Sequence, residues 1–267
     1  MDELLAWKNS PRRNPLILNG ARQVGKTWLL KEFGRTQFAS VAYVNLDGNP
    51  RMQEQFDLGY DVPRIISAIQ FETGQVVSED TTLIILDEIQ ACPKALTSLK
   101  YFCEEAPGYV IAAAGSLLGI TVHEGSVYPV GKVDTLDLYP LSFRELLVAT
   151  GNRPLCELLD SGDAELISGF SSKLTPLLRQ YYYVGGMPEA VVAFLGRGLL
   201  EDAREVQLEV LRGYERDISK HLGRTETEYA LAAWRSIPSH LGRENKKFVF
   251  SHIASGTRAK NYQAGIT

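Results

Sequence analysis

The chain contains few of the residues from which metal centres and disulfide frameworks are built. Its 267 residues include only three cysteines and four histidines. None of them has the spacing of a metal-ligand motif. An odd and sparse set of cysteines is typical of a reducing compartment, which argues against a disulfide-stapled secreted module. The residues concerned are Cys92, Cys103, Cys156, His123, His221, His240 and His252.

Long apolar runs and a targeting signal are also absent. The longest apolar-leaning run, Val110 to Ile120, is far short of the ~20 residues that a membrane-spanning helix needs. The first residues, Met1, Asp2 and Glu3, do not begin a basic and apolar signal pattern. The composition is globular, with 45% hydrophobic and 22% charged residues. The sequence therefore predicts a soluble, cytoplasmic protein of one large and one smaller domain, with no membrane partner.

The net charge of −4 is unevenly distributed. Residues 212–267 carry ten Lys and Arg against five Asp and Glu, a net +5, whereas residues 1–211 carry a net −9. A basic segment on an acidic body is a feature of proteins that contact polyanions such as nucleic acid. A solvated basic face without such a partner explains the same pattern. The basic residues in and around its last predicted helices are Arg243, Lys246, Lys247, Arg258 and Lys260.

Apolar runs alternate with helical patterns over the first half of the chain. Four apolar runs and one segment of alternating apolar and polar residues, 133–138, predict strands, and segments between them carry apolar residues at helical spacing. Such alternation predicts a parallel sheet with helices on both faces, and ligands bind at the C-terminal ends of its strands. The predicted strands cover 15–19, 41–46, 82–86, 109–114 and 133–138.

One eight-residue segment between the first strand and the next helix matches the phosphate-binding loop G-x-x-x-x-G-K-[ST] in full. Two glycines let the backbone approach a phosphate closely, and the amides from Gln23 to Thr27 form an anion site at a helix N-terminus. Lys26 supplies a positive charge to the phosphates, and the Thr27 hydroxyl is a ligand for Mg²⁺. The predicted nucleotide contacts are Gly20, Ala21, Arg22, Gln23, Val24, Gly25, Lys26, Thr27, Trp28 and Ser116.

A pair of acids follows the third predicted strand. Thr82 to Leu86 is continuously apolar and ends in Asp87 and Glu88. A carboxylate at this strand end holds the Mg²⁺ shell in proteins with a phosphate loop, so Asp87 joins Thr27 as a predicted metal ligand. Glu88 is predicted to accept a proton from an attacking water. Lys26 and Glu88 are therefore the predicted catalytic residues.

Three further polar residues are weaker candidates. Ser116 follows the fourth strand, where it would touch the γ-phosphate or the attacking water, or would simply form a turn. Asn45 ends the second strand, where it would hold Glu88 away from water or only terminate the strand. Arg22, inside the loop, would contact nucleotide, a neighbouring subunit or a nearby acid.

The pattern becomes helical after Pro140. Ser142 and Glu145 form a capping box, and residues 201–221 form a long amphipathic helix. Two helices are separated by Gly185-Gly186-Met187-Pro188, which predicts a tight turn or a nucleotide-responsive hinge. The last basic segment predicts three short helices, at 226–240, 244–253 and 257–266.

Together these motifs resemble a bacterial and archaeal ATPase family of the AAA+ superfamily, whose members usually carry a further C-terminal, nuclease-like domain of unknown function. The first two matching stretches occur in many ATPases, whereas P-L-S-F-R-E and G-G-M-P are more particular to this family. The stretches are GARQVGKT (20–27), LIILDEIQ (83–90), GKVDTLDLYPLSFREL (131–146), YYYVGGMPEAV (181–191) and IPSHLGRENKKFVFSHI (237–253).

The resemblance implies an α/β fold with three parts: an AAA-type core with a five-stranded sheet over 1–141, a helical lid over 142–224, and a partial winged helix over 225–267. ATP or ADP and Mg²⁺ are the implied ligands. The chain departs from the family by stopping at Thr267, within the expected winged helix and before the usual last domain. No activity of that domain is therefore expected here.

Assembly is a further expectation, because an arginine that reaches a neighbour's γ-phosphate couples hydrolysis to a homo-oligomer. Arg144, Arg179 and Arg216 are the candidates, and the sequence does not choose among them.

Three functions compete at this stage. The first is a Mg²⁺-dependent ATP hydrolase that acts as a conformational switch for attached domains or partners. The second is a nucleotide-regulated DNA-binding protein with little hydrolysis. The third, a small-molecule kinase, is opposed by Glu88, because an acid that activates water would waste ATP.

Overall fold

The computed structural model describes residues 1–116, 128–221, 223–245, 249 and 253. The chain divides into two compact units, Met1–Pro188 and Glu189–Thr267. The strands are β1 (Leu16–Gly20), β2 (Ser40–Asn45), β3 (Thr82–Asp87), β4 (Val110–Ser116) and β5 (Asp134–Leu138). The helices of the first unit are α1 (Asp2–Lys8), α2 (Lys26–Gln37), α3 (Pro50–Asp57), α4 (Val62–Thr73), α5 (Pro93–Glu105), α6 (Phe143–Ala149), α7 (Arg153–Ser161), α8 (Ala164–Gly169) and α9 (Ser171–Val184). The remaining helices are α10 (Pro188–Arg197), which begins at the boundary, α11 (Leu200–His221) and α12 (Arg224–Leu241).

The five strands form one parallel sheet in the order β2-β3-β4-β1-β5. This arrangement confirms the predicted five-stranded parallel sheet. In β1, Ile17 belongs to one buried cluster, whereas Leu16 and Leu18 belong to the other. Side chains alternate between the two faces of a strand, so continuously apolar strands require helices on both faces. One cluster contains residues of α3, α4 and α5, and the other contains residues of α1 and α2.

The strand register brings the predicted site residues to the same edge of the sheet. Gly20 at the end of β1 pairs with Ser116 of β4 and with Leu138 of β5. Asn45 at the end of β2 pairs with Asp87 at the end of β3. The C-terminal ends of all five parallel strands therefore lie at the same edge of the sheet as the phosphate-binding loop.

Helix α3 was not predicted, because the segment at 47–50 was interpreted only as a turn cluster. Asn49 is the N-cap of this helix, and its side chain accepts a hydrogen bond from the Met52 amide at 3.1 Å. Pro50 occupies the first turn, where it needs no amide partner. The same residues that favour a turn thus also begin a helix.

The predicted division into three domains stays a prediction. The two compact units meet at Pro188, whereas the sequence placed boundaries at 141 and 224. Part of the predicted winged helix, residues 246–248, 250–252 and 254–267, lies outside the described residues, and this part includes the whole predicted helix at 257–266 and most of the one at 244–253. Helix α12 corresponds to the helix predicted at 226–240. Among the helices that the structure describes, none combines the length and apolar character needed to span a membrane.

Gly186 is sterically required where the chain passes between α9 and α10. The Leu141 amide donates to the Gly186 carbonyl at 2.7 Å. A Cβ at Gly186 would collide with the backbone nitrogen and oxygen of Leu141. We therefore expect Gly186→Ala to destabilise the chain by roughly 1–3 kcal/mol, measured as the free energy of unfolding in urea.

Gly196→Ala is the matched control for this substitution. Gly196 lies inside α10, and a Cβ there meets no atom within 4 Å. Alanine in a helix is favoured over glycine by roughly 0.5–1 kcal/mol, so this variant should be neutral or more stable. Equal stability of the two variants would contradict the close approach at Gly186.

Candidate functional site

The phosphate-binding loop connects β1 to α2 and has the backbone geometry that its glycines allow. A Cβ at Gly20 would collide with the Leu138 carbonyl oxygen of the neighbouring strand. Gly25, the N-cap of α2, has φ 99°, and Gln23 also has a positive φ of 61°. Left-handed backbone angles at Gly25 suit glycine and disfavour residues with a Cβ. The loop therefore turns sharply and places the N-terminus of α2 at the end of β1.

Lys26 is folded onto its own loop. Its Nζ donates to the Gly20 carbonyl at 2.9 Å and to the Ala21 carbonyl at 2.8 Å. The residue is only 9% exposed. Burial lowers the pKa of the Lys26 ammonium, while the charges of Glu88 and then Asp87 act in the opposite direction. The loop thus holds one ammonium group next to two acids.

Thr27, at the end of the phosphate-binding loop, and Asp87, at the end of β3, are in contact. The Thr27 Oγ1 donates to the Asp87 Oδ2 at 2.8 Å, although the two residues are 60 positions apart. The other carboxylate oxygen of Asp87 accepts a hydrogen bond from the Glu88 amide at 3.1 Å. Asp87 is 5% exposed, so its carboxylate is held in place by these contacts rather than by water. A hydroxyl and a carboxylate are the oxygen donors that Mg²⁺ accepts in proteins.

Tyr43 is a site residue that sequence reasoning missed. It lies on β2, and its hydroxyl donates to the Asp87 Oδ2 at 2.9 Å, the same oxygen that Thr27 contacts. Burial and, next, the hydrogen bond to Asp87 raise the pKa of Tyr43, which therefore stays a neutral donor. The Lys31 Nζ lies 3.5 Å from the centre of the tyrosine ring. The alternation of residues along β2 indicates the face of the sheet on which Tyr43 lies. Its contact with Asp87 depends in addition on the register between β2 and β3.

We expect Tyr43→Phe to weaken the effect of Mg²⁺ on nucleotide binding. The variant keeps the ring and removes the hydroxyl that orients Asp87. Outer-shell partners of metal ligands typically contribute about 10–100-fold to metal affinity or activity. The Mg²⁺ concentration that gives half-maximal nucleotide binding should rise by about tenfold. Tyr109→Phe, elsewhere in the first unit, is the control; a Tyr43 variant as responsive to Mg²⁺ as this control would contradict the role.

Glu88 occupies a strained position after β3. Its φ is 50°, and it begins a single 3₁₀ turn, Ile89–Ala91. The Gln90 Nε2 donates a hydrogen bond to the Glu88 Oε2. The predicted partner Asn45 instead accepts a hydrogen bond on its Oδ1 from the Asp47 amide at 3.0 Å. The side-chain amide that is hydrogen-bonded to the Glu88 carboxylate is that of Gln90.

The other predicted contacts are distributed around the loop. Trp28 lies in the first turn of α2 and is 69% exposed. Arg22 is near enough to Lys26 for its charge to lower the pKa of that residue, after the effects of burial and of the two acids. The backbone of Ser116 pairs with Gly20 in the sheet register.

The arginine candidates for contact with a second subunit have different surroundings. Arg144 forms an ion pair with Asp160 at 3.0 Å. Arg216 forms one with Glu209 at 2.9 Å in the second unit. Arg179 is exposed on α9.

The turn that precedes α10 also borders the phosphate-binding loop. A Cβ built on Gly25 would lie 3.7 Å from the Pro188 Cγ, which is an ordinary van der Waals contact. Pro188 is the first residue of α10 and the last of the first unit. The predicted turn at 185–188 and the predicted loop, separate in sequence, are therefore neighbours.

Comparison with known families agrees with this geometry. Residues 12–147, just over half of the chain, match the family described as AAA domain. The chain belongs to the AAA domain family. Residues 175–267 match a second family, described as a domain of unknown function (DUF8612). The AAA family match confirms the resemblance predicted from the motifs and supports a nucleotide-binding, ATPase-type function.

Similar solved structures have low sequence identity. Caenorhabditis elegans PCH-2 is 14% identical over 79% of this chain and 65% of its own, with a TM-score of 0.40. Drosophila ORC bound to DNA is 15% identical over 91% of this chain and 73% of its own, with a TM-score of 0.45. Aeropyrum pernix ORC1 in complex with DNA is 14% identical over 94% of this chain and 78% of its own, with a TM-score of 0.36. A search of curated proteins found no match.

Proposed function

We propose that this protein binds ATP with Mg²⁺ at the loop 20–27, hydrolyses it to ADP and phosphate, and uses the nucleotide as a conformational switch. The observation that carries the proposal is the meeting of two distant motifs: the Thr27 Oγ1 lies 2.8 Å from the Asp87 Oδ2. The contact joins the loop, which carries the Lys26 ammonium and the Thr27 hydroxyl, to the strand end that carries Asp87 and Glu88. Family membership supports the same class of function.

The loop offers the groups that a triphosphate needs. The Lys26 Nζ donates to the neutral carbonyl oxygens of Gly20 and Ala21. Phosphate oxygens can replace these carbonyls as its hydrogen-bond acceptors. A charge-assisted bond from an ammonium to a phosphate is about twice as strong as a bond between neutral groups. The amides at the start of α2 add the positive end of a helix. In the proposed complex, Lys26 exchanges its carbonyl contacts for the β- and γ-phosphates.

Thr27 and Asp87 are the residues that would hold Mg²⁺. Their oxygens already lie together, and Tyr43 and the Glu88 amide fix the orientation of the Asp87 carboxylate. When bound, the metal would neutralise charge on the phosphates. Asp87 and Thr27 would keep it beside Lys26.

Glu88 is proposed to take the proton of the attacking water. Glu88 directly follows Asp87, the proposed metal ligand, whose Oδ2 accepts a hydrogen bond from Thr27 of the loop at 2.8 Å. Its charge also acts to raise the pKa of Lys26. These observations support a role for Glu88 beside the loop. A positioned carboxylate contributes about 10²–10⁴-fold to such a proton transfer.

The switch would act through the turn at 185–188. A Cβ on Gly25 would lie 3.7 Å from the Pro188 Cγ, so the two residues are neighbours, and Gly186 is hydrogen-bonded to Leu141 after β5. A change in the loop on nucleotide binding would therefore be felt at the start of α10. This route links the nucleotide to the helices that follow.

Phosphate release by the purified chain tests the proposal. We expect release from ATP that needs Mg²⁺ and stops when the metal is chelated. Consumption of ATP only in the presence of a metabolite acceptor would instead support a kinase. The absence of release under all of these conditions would contradict hydrolysis.

Nucleic-acid binding is the second candidate, favoured by the net +5 charge of residues 212–267. In this alternative the nucleotide sets the conformation and hydrolysis is slow. Titration with duplex DNA should then show a steep fall of log affinity with log salt concentration. A flat salt response, or no binding, would remove this candidate.

Light scattering with and without ATP would test the proposed homo-oligomer.

A further inference from the structure

The peptide after Asp87 folds back so that the side chain of Gln90 lies beside Glu88. Glu88 adopts φ 50°, and its carbonyl accepts a hydrogen bond from the Ala91 amide at 2.9 Å. Ile89, between the two residues, is fully buried and fixes the turn in the core. The Gln90 Nε2 then reaches the Glu88 Oε2. The contact therefore follows from the backbone path and does not depend on two flexible surface side chains.

Chemistry fixes the orientation of the Gln90 amide. An ionised carboxylate only accepts hydrogen bonds, so the NH₂ group must face Glu88. The opposite amide orientation would put two oxygens against each other. The Gln90 Oε1 is enclosed and has no hydrogen-bond partner within the described part of the chain. Gln90 therefore has one favourable orientation, in which it donates to Glu88.

The held carboxylate belongs to the residue that follows the contact with the phosphate-binding loop. Glu88 comes directly after Asp87, whose Oδ2 accepts a hydrogen bond from the loop hydroxyl of Thr27 at 2.8 Å. The charge of Glu88 also acts to raise the pKa of Lys26 in that loop. Asn45, at the end of the neighbouring strand, uses its side-chain oxygen for the Asp47 amide. Gln90 is the residue whose side-chain donor reaches the Glu88 carboxylate.

We propose that Gln90 is a positioning residue that holds the Glu88 carboxylate toward the phosphate-binding loop, ready to receive a proton from the attacking water. This inference rests on the proposed hydrolysis. Gln90 acts through Glu88 and does not touch the nucleotide. Its loss should lower turnover and leave nucleotide affinity unchanged.

Gln90→Met tests the role in catalysis, because methionine keeps a similar unbranched shape and removes the donor. We expect kcat for phosphate release to fall by about tenfold or more, as for other outer-shell partners. KM and the Kd for ATP should stay within about twofold of their values in the unchanged protein, because the groups proposed to bind the nucleotide are retained. Gln70→Met is the matched control: Gln70 accepts from the Val77 amide at 2.9 Å on α4 and should keep full turnover.

The side-chain amide resonance of Gln90 provides a test that does not depend on turnover. In the nucleotide-free protein, Glu88→Ala should move the Gln90 NH₂ protons upfield, because their carboxylate acceptor is lost. A Gln90 resonance that does not respond to Glu88→Ala would overturn the inference even if ATP is hydrolysed. Equal kcat for Gln90→Met and Gln70→Met would overturn it as well. A wild-type chain without phosphate release would contradict the proposed function, and the amide resonance would still decide the contact.

Discussion

Replacing Glu88 with glutamine should reduce phosphate release by at least about 100-fold while ATP binding persists. The substitution conserves shape and removes the carboxylate that is proposed to accept the water proton. Lys26, Thr27 and Asp87, the proposed binding groups, are unchanged. Single-turnover phosphate release, measured together with the Kd for ATP, separates the loss of chemistry from the loss of binding.

Glu54→Gln is the control for this experiment, since Glu54 is an exposed residue on α3. It should release phosphate at the rate of the unchanged protein. If Glu88→Gln also kept that rate, Glu88 would have no part in proton transfer. If it lost ATP binding as well, Glu88 would be a binding residue.

Replacing Lys26 with alanine should weaken ATP binding by about 10–100-fold. Hydrogen bonds to charged groups contribute roughly 1.5–3 kcal/mol, which corresponds to that range of affinity. The proposed complex uses the only ammonium that the loop itself supplies, so the loss should be larger for ATP than for adenosine. Trp28 is 69% exposed next to the loop, and its fluorescence offers a direct signal for the titration.

Lys94→Ala removes an equivalent charge far along the sequence, from an exposed ion pair with Asp57 at 3.2 Å. It should leave ATP affinity unchanged. Equal affinities for the Lys26 and Lys94 variants would show that the loop does not bind the phosphates. Circular dichroism of both variants would confirm that they are folded.

The sheet and the loop could be predicted because their signals are local in sequence. Buried parallel strands require continuous apolar runs such as 82–86, and the phosphate loop requires glycines at fixed positions. The acids at 87 and 88 follow directly from the end of a strand. These features place Lys26, Thr27, Asp87 and Glu88 without knowledge of the tertiary structure.

The supporting contacts could not be predicted, because they depend on register and on the path of the chain. Tyr43 reaches Asp87 only because β2 and β3 are adjacent and in this register. Gln90 reaches Glu88 because the backbone of Glu88 is left-handed, a conformation that residues with a Cβ rarely adopt. Pro188 lies beside Gly25 of the loop although the two are more than 160 residues apart. The sequence predicted a turn at 185–188 but not its position next to the loop.

Calorimetric titration of the unchanged protein with ATP, with and without Mg²⁺, tests the central claim most directly. We expect saturable binding at one site, tighter when Mg²⁺ is present, and competition by ADP at the same site. Binding energy should come from the phosphates, so adenosine should bind far more weakly. A folded protein that gives no saturable binding of ATP under either condition would contradict the account.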